Sequence, residues 1–293
     1  MKRTMAVVVL AAFVSLALGV TAFAQELEVA LIADPGGRRE AEGAQQYFER
    51  MERVLRRGGL AYSVVTQDQM LAGALHDYRV AIVPFAPNLS NAGRAMLRSF
   101  CSDGGKVMCF YTTYGLEREL GLRSIRYVPS GDDRTLFRHV RLRAGVLPGI
   151  SDGFDQTSWN IQSPAPGPDT LVLADWVDVN GEDSGHIAVT LSDGGLFFSH
   201  VLLAEGEGDE TRAGQMLRAA ARYLEARAGT RKDIAIIYGT VSESAGGSDS
   251  RLVGRMVGEM ERILDGAGLP YAILTDEAVA AGALEGRRVA ILP

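Results

Sequence analysis

Cysteine, histidine and tryptophan are scarce in this chain, with two, four and two residues among 293. Two cysteines exclude a scaffold built on disulfides. His76, His139, His186 and His200 form no His-x-His or HExxH pair, so no zinc signature exists and no metal or other cofactor is expected. A basic excess is also missing. Thirty Lys plus Arg stand against 36 Asp plus Glu, giving a net charge of −6. That balance excludes the basic stripe of a nucleic-acid binder, and no nucleic-acid partner is expected. Beyond residue 25 no apolar run is long enough to cross a bilayer. With 47% hydrophobic and 23% charged residues, disorder is excluded as well.

What the chain does have begins at its N-terminus. Lys2 and Arg3 precede a nearly unbroken apolar run from Met5 to Val20, and Ala22-Phe23-Ala24 supplies the small-x-small pattern that signal peptidase accepts. Residues 1–25 therefore read as a signal peptide, with cleavage before Gln25 and export to the periplasm or beyond. No membrane association is expected after cleavage. Export makes a disulfide possible, but Cys101 falls at a helix end and Cys109 well inside the next strand. At about 3.3 Å per residue that separation predicts two free thiols.

The central feature is an internal repeat. Met51 to Pro84 (MERVLRRGGLAYSVVTQDQMLAGALHDYRVAIVP) aligns without a gap on Met260 to Pro293 (MERILDGAGLPYAILTDEAVAAGALEGRRVAILP), with about half the positions identical. Each copy opens on an apolar run, Val29–Ile32 or Ile234–Ile237. A helical stripe follows, at Ala44, Tyr47, Met51, Val54 and Leu55 in the first copy and Val253, Met256, Met260, Ile263 and Leu264 in the second. Glycines then suit a left-handed helix end. A second strand (Tyr62–Val65, Tyr271–Leu274), a short helix and a third strand (Val80–Val83, Val289–Leu292) complete the unit. Strands alternating with helices predict right-handed crossovers and a three-layer α/β/α sandwich with a mainly parallel sheet.

The first copy continues through a helix capped by Ser90 or Asn91, a turn at Asp103-Gly104-Gly105 and a strand at Lys106–Tyr111. Short strands are predicted at Arg138–Arg143, Thr157–Gln162, Leu171–Val177, Ile187–Leu191 and Leu196–Leu202, then a helix near Glu210–Ala228. This predicts an α/β unit at 26–228 and, at 229–293, the first half of a second copy. The second copy stops after its third strand, which would leave an open edge. The expectation is that the chain is the N-terminal piece of a longer protein; the alternative is that its three strands dock on the first unit's sheet.

The layout resembles the class I glutamine amidotransferase-like, flavodoxin-like fold found beside carbohydrate-active enzymes. The segments VAIVPFAPNLS, LRSFCSDGGKVMCFY, LADWVD and GLFFSHVLL are similar to N-terminal regions of bacterial family 10 glycosyl hydrolase-like proteins. The resemblance spans nearly all of residues 27–293 and rests on fold-bearing segments. It implies a nucleophilic cysteine on an elbow after the strand Val107–Tyr111, but Thr112-Thr113-Tyr114-Gly115 stands there. His200 matches the position of the family's histidine, yet Val201-Leu202 follows it with no glutamate. Two of three catalytic members are absent, so no amidotransferase activity is expected. A threonine nucleophile with His200 as base would need strong activation; the simpler reading makes Thr112 and Thr113 loop residues.

Other signals carry less. Tyr238–Ser244 follows a strand as a phosphate loop would, but the first copy has Ala33-Asp34-Pro35-Gly36-Gly37 there. No pair of acids marks a glycosidase cleft. Trp159 and Trp176 sit in strand patterns, where packing is the commoner role; exposed, either could stack on a sugar. A ligand would bind beyond the carboxyl ends of the strands, at Asp34, Asn88, Thr112, Thr113, Tyr114 and His200. The sequence thus predicts a non-catalytic accessory or assembly module of an exported glycosyl hydrolase-like protein. Its expected partners are a carbohydrate or a downstream catalytic domain of the same polypeptide, and conceivably a second copy in a homo-oligomer. The competing expectation is a stand-alone exported hydrolase or ligand-binding protein that uses the pocket near His200.

Overall fold

The computed structural model describes residues 29–36, 40–131, 135–150, 153–229, 232–239, 248–280, 282–284 and 287–293; the signal segment lies outside them. The first unit starts with β1 (Val29–Ile32), α1 (Glu40–Arg57), β2 (Ser63–Val65), α2 (Gln67–Leu71), β3 (Val80–Val83), α3 (Asn91–Ser102) and β4 (Lys106–Phe110). Then come β5 (Leu122–Pro129), β6 (His139–Leu142), β7 (Phe154–Asp155), β8 (Asn160–Pro166), β9 (Leu171–Val177), β10 (Asp183–Leu191), β11 (Gly195–Phe198) and α4 (Gly206–Glu225). The second copy holds β12 (Ile234–Tyr238), α5 (Ser248–Gly266), β13 (Tyr271–Thr275), α6 (Asp276–Ala280) and β14 (Val289–Ile291).

Nine strands form one sheet in the order β2-β1-β3-β4-β11-β10-β9-β6-β7. The five strands from β2 to β11 run parallel, and β10, β9, β6 and β7 extend them in antiparallel pairings. Strand alternation sorts the apolar residues into two cores. Leu31, Ile82, Met108, Phe110 and Phe198 face α1 and α4; Ala30, Ile32, Ala81, Val83, Cys109 and Phe197 face α2 and α3. This is the expected α/β sandwich. Cys101 and Cys109 are free thiols. Burial pushes the Cys109 thiol well above its ordinary range, which leaves it unreactive.

Several boundaries differ from expectation. The strand sought at Thr157–Gln162 lies at Asn160–Pro166 and pairs with β5 in a separate two-stranded sheet. β11 ends at Phe198 rather than Leu202. β4 ends at Phe110, which places Tyr111 outside the ladder. Of the two candidate caps for α3, Ser90 serves, its hydroxyl accepting from Gly93 N at 3.1 Å.

β12 to β14 form their own sheet, ordered β13-β12-β14 as β2-β1-β3 are in the first copy. They do not join the large sheet. The two units meet at α3: Ala272, Leu274, Ala278 and Ala283 share one apolar cluster with Met96, Leu97 and Phe100. Arg287, with its side chain 1% exposed, pairs with Asp103 at the C-terminus of α3 and donates to Lys232 O at 2.6 Å.

Candidate functional site

β1, β3, β4 and β11 are mutually parallel neighbours, so their carboxyl ends open at one edge of the sheet. All six residues expected at the site lie in the loops there. Asp34, after β1, accepts from Asn88 N and Asn88 Nδ2, each at 2.9 Å, and from Gly36 N at 2.8 Å. Asp34 and Asn88 thus clasp the loops after β1 and β3. Thr113 is buried and donates its hydroxyl to Glu117. Tyr114 is buried too; its hydroxyl donates to Pro84 O at 2.7 Å and accepts from Ala86 N at 2.8 Å. Burial holds its phenol protonated far above the ordinary range. These four side chains are committed to holding the loops, and Thr112 is half-buried beside them.

The elbow belongs to a different residue. Tyr111 has φ 64°, and Thr112 N reaches back to Phe110 O at 2.7 Å. That is a tight turn with a positive-φ centre, a conformation costly for any residue with a side chain. Sequence reasoning counted Tyr111 into the strand and sought the elbow at 112–115, where Tyr114 is a second positive-φ residue at 57°.

His200 follows β11 and is 1% exposed. Its Nδ1 lies 3.0 Å from Val201 O and 3.1 Å from Ser158 Oγ. A carbonyl only accepts, so the proton resides on Nδ1. Desolvation lowers its pKa to about 4, against a smaller upward effect of the Val201 carbonyl. The ring is neutral at pH 7, with Tyr111 and Trp159 set edge to face against it at 5.6 and 4.7 Å between centroids.

These contacts extend into a row of aromatic residues. Tyr47 meets Phe85 at 5.9 Å, and Phe85 meets Tyr111 at 5.8 Å. Gln162 lies on β8 and is half-buried. Tyr127 on β5 stands directly opposite Gln162 in the ladder and is 55% exposed. Trp159 is 39% exposed, which corrects its reading as core; Trp176 is fully buried, its Nε1 donating to Ser199 Oγ at 2.8 Å. Sequence reasoning missed the row because its members come from α1, β5 and four separate loops. The legible signals were Trp159 and Tyr111 next to a strand end.

Among the described residues no group of three or more His, Cys, Asp or Glu could hold a metal ion. The phosphate-loop candidate at 238–244 falls largely outside the described residues. The acidic run 205–210 is engaged in pairing: Glu205 accepts from Thr157 N at 2.7 Å, and Glu207 and Glu210 each pair with Arg57.

No family model and no curated protein matches the chain. Among solved structures it is similar to a β-galactosidase from Rahnella sp. R3, with a TM-score of 0.49 and 17% identity over 68% of this chain and 31% of that one. It is also similar to α-L-fucosidase isoenzyme 2 from Paenibacillus thiaminolyticus (0.47, 17%, over 68% and 33%). A ThuA-like protein from Bacteroides uniformis matches with 0.43 and 14% over 66% and 89%. The chain therefore spans about a third of the length of the β-galactosidase and the fucosidase.

Proposed function

We propose that the unit built on the nine-stranded sheet is a non-catalytic accessory or assembly module of an exported carbohydrate-active protein. The observation that carries the non-catalytic part is the residue at the elbow. A nucleophile on this edge would stand where Tyr111 stands, and a phenol there is neither a thiol nor paired with a base. Of the two threonines that follow, Thr113 already donates to Glu117. His200 spends its Nδ1 proton on a backbone carbonyl and is closed to solvent. The carbohydrate part is supported by the resemblance of segments such as VAIVPFAPNLS and GLFFSHVLL to glycosyl hydrolase-like proteins.

The test is a turnover screen of the chain from Gln25 onward against glutamine, p-nitrophenyl acetate and p-nitrophenyl glycosides of galactose, glucose and fucose. No turnover above buffer is expected. Turnover that disappears in His200→Ala, with the fold intact by circular dichroism, would overturn the proposal in favour of a hydrolase centred on His200.

A further inference from the structure

We infer that the aromatic row at the carboxyl edge of the large sheet is a binding platform for a neutral glycan, with Trp159, Tyr127 and Tyr111 as its stacking surface. The inference rests on the carbohydrate part of the reading above and names the site and ligand class.

Aromatic side chains near a surface ordinarily turn their apolar faces inward. Here two large ones, Trp159 and Tyr127, remain substantially exposed, while Tyr111, Phe85 and Tyr47 are half-buried. The edge-to-face contacts from Tyr47 through Phe85, Tyr111 and His200 to Trp159 fix each ring against its neighbour. A fixed ring loses little freedom when a ligand covers it. The β5–β8 ribbon is itself tied down, Gln162 N donating to Ser199 O at 2.8 Å and Ser130 N to Trp159 O at 2.9 Å.

Polar groups complete the surface. Directly opposed residues in an antiparallel pair share a face, so Tyr127 and Gln162 point the same way. Asn160, two residues before Gln162 on β8, lies on that same face. Asn160 is 8% exposed and its Oδ1 has no hydrogen-bond partner. A buried, unsatisfied acceptor is unfavourable, and a turn of the Asn160 side chain toward the surface would let an incoming hydroxyl satisfy it. Flat apolar rings beside amide and phenol groups match a sugar, which offers C–H faces and hydroxyl edges. No ionic side chain belongs to the row, so a neutral glycan fits better than an acidic one.

The chain has two tryptophans and one of them, Trp176, is fully buried. Titration of the chain from Gln25 onward with linear hexasaccharides of glucose, xylose and galactose at millimolar concentration should therefore shift the emission of Trp159. Trp159→Ala and Tyr127→Ala should each weaken binding about tenfold or more, as read by calorimetry, with Trp159→Phe recovering part of it and thermal unfolding unchanged. If the wild-type chain binds and both alanine variants bind equally well, the platform is wrong while the carbohydrate reading survives. If no hexasaccharide binds, the platform is overturned, and the turnover screen above separately decides the wider reading.

Discussion

Gly58 at the C-terminal end of α1 and Gly214 in α4 meet backbone to backbone. A Cβ on Gly58 would lie 2.3 Å from the Gly214 carbonyl carbon, and one on Gly214 would lie 2.2 Å from Val54 O. Neither neighbour is a flexible side-chain tip, so the two helices would have to separate. Gly214→Ala should therefore destabilise the protein by about 1–2 kcal/mol, overpacking outweighing the ~1 kcal/mol gained in helix propensity. Gly254→Ala in α5, where nothing lies within 4 Å, should instead stabilise by roughly 0.5–1 kcal/mol. Urea unfolding of the two variants checks both signs.

The repeat offers an internal control for burial. Gly59 and Gly268 have φ 66° and 65°, and Leu60 N and Leu269 N reach the carbonyls of Leu55 and Leu264 at 3.0 Å in both copies. The helix ends are the same, but Leu60 is 3% exposed and Leu269 is 46% exposed. Leu60→Ala should cost about 2–5 kcal/mol, and Leu269→Ala about 0.5 kcal/mol or less. Comparable losses in urea midpoint at the two positions would show that Leu269 is covered in solution.

Arg287 should be indispensable to the junction between the units. Arg287→Met leaves the carboxylate of Asp103, 11% exposed, without its cation. Removing one partner of a buried pair costs roughly 3–5 kcal/mol. The expected result is a lower melting temperature, with the double variant Asp103→Leu, Arg287→Met recovering much of the loss. No recovery would mean that Arg287 acts through its bonds to the Lys232 and Ala283 carbonyls instead.

His200 should make the fold acid-sensitive. Its folded pKa, about 4, lies below the ordinary 6.5. Between those values the unfolded chain binds the proton and the folded one does not, so stability is intact above pH 6.5 and falls as pH drops toward 4. The loss amounts to roughly 3 kcal/mol across that window. His200→Gln should flatten this part of the stability–pH curve, measured by denaturant unfolding at pH 7, 5.5 and 4.5. An unchanged slope would place the acid sensitivity elsewhere.

Much of the architecture was legible because it is periodic. The apolar runs Val29–Ile32 and Val80–Val83 are fully buried strands, and the 3.6-residue stripe of Met51, Val54 and Leu55 faces the core as its spacing demands. The repeat pointed to a second unit and left open whether its strands join the first sheet; they form their own. The antiparallel extension was less readable, because alternation fixes which face a residue takes and not which strand it joins. β8 was therefore expected a few residues early and without a partner: its pairing with β5 bridges 122–129 and 160–166, far apart in sequence. The carboxyl-end rule brought the six candidate residues to one edge of the sheet, where most of their side chains turn out to hold the loops. Asp34, Asn88, Thr113 and Tyr114 have polar atoms that bind the loops to one another, which residue type alone does not reveal. The aromatic row comes from tertiary convergence, to which local periodicity is blind.

The position of α3 has a consequence for how the molecule comes apart. Gly93, Ala95, Met96, Leu97, Ser99 and Phe100 are all buried, because α3 has the large sheet on one side and β13 with α6 on the other. A chain cut at residue 228 would keep every strand of the large sheet yet strip one flank of this helix. Such a truncation should bind apolar dyes and aggregate, and amide exchange should be faster along α3 than along α1. The repeat boundary marks where the gene pattern restarts; cooperativity runs straight across it.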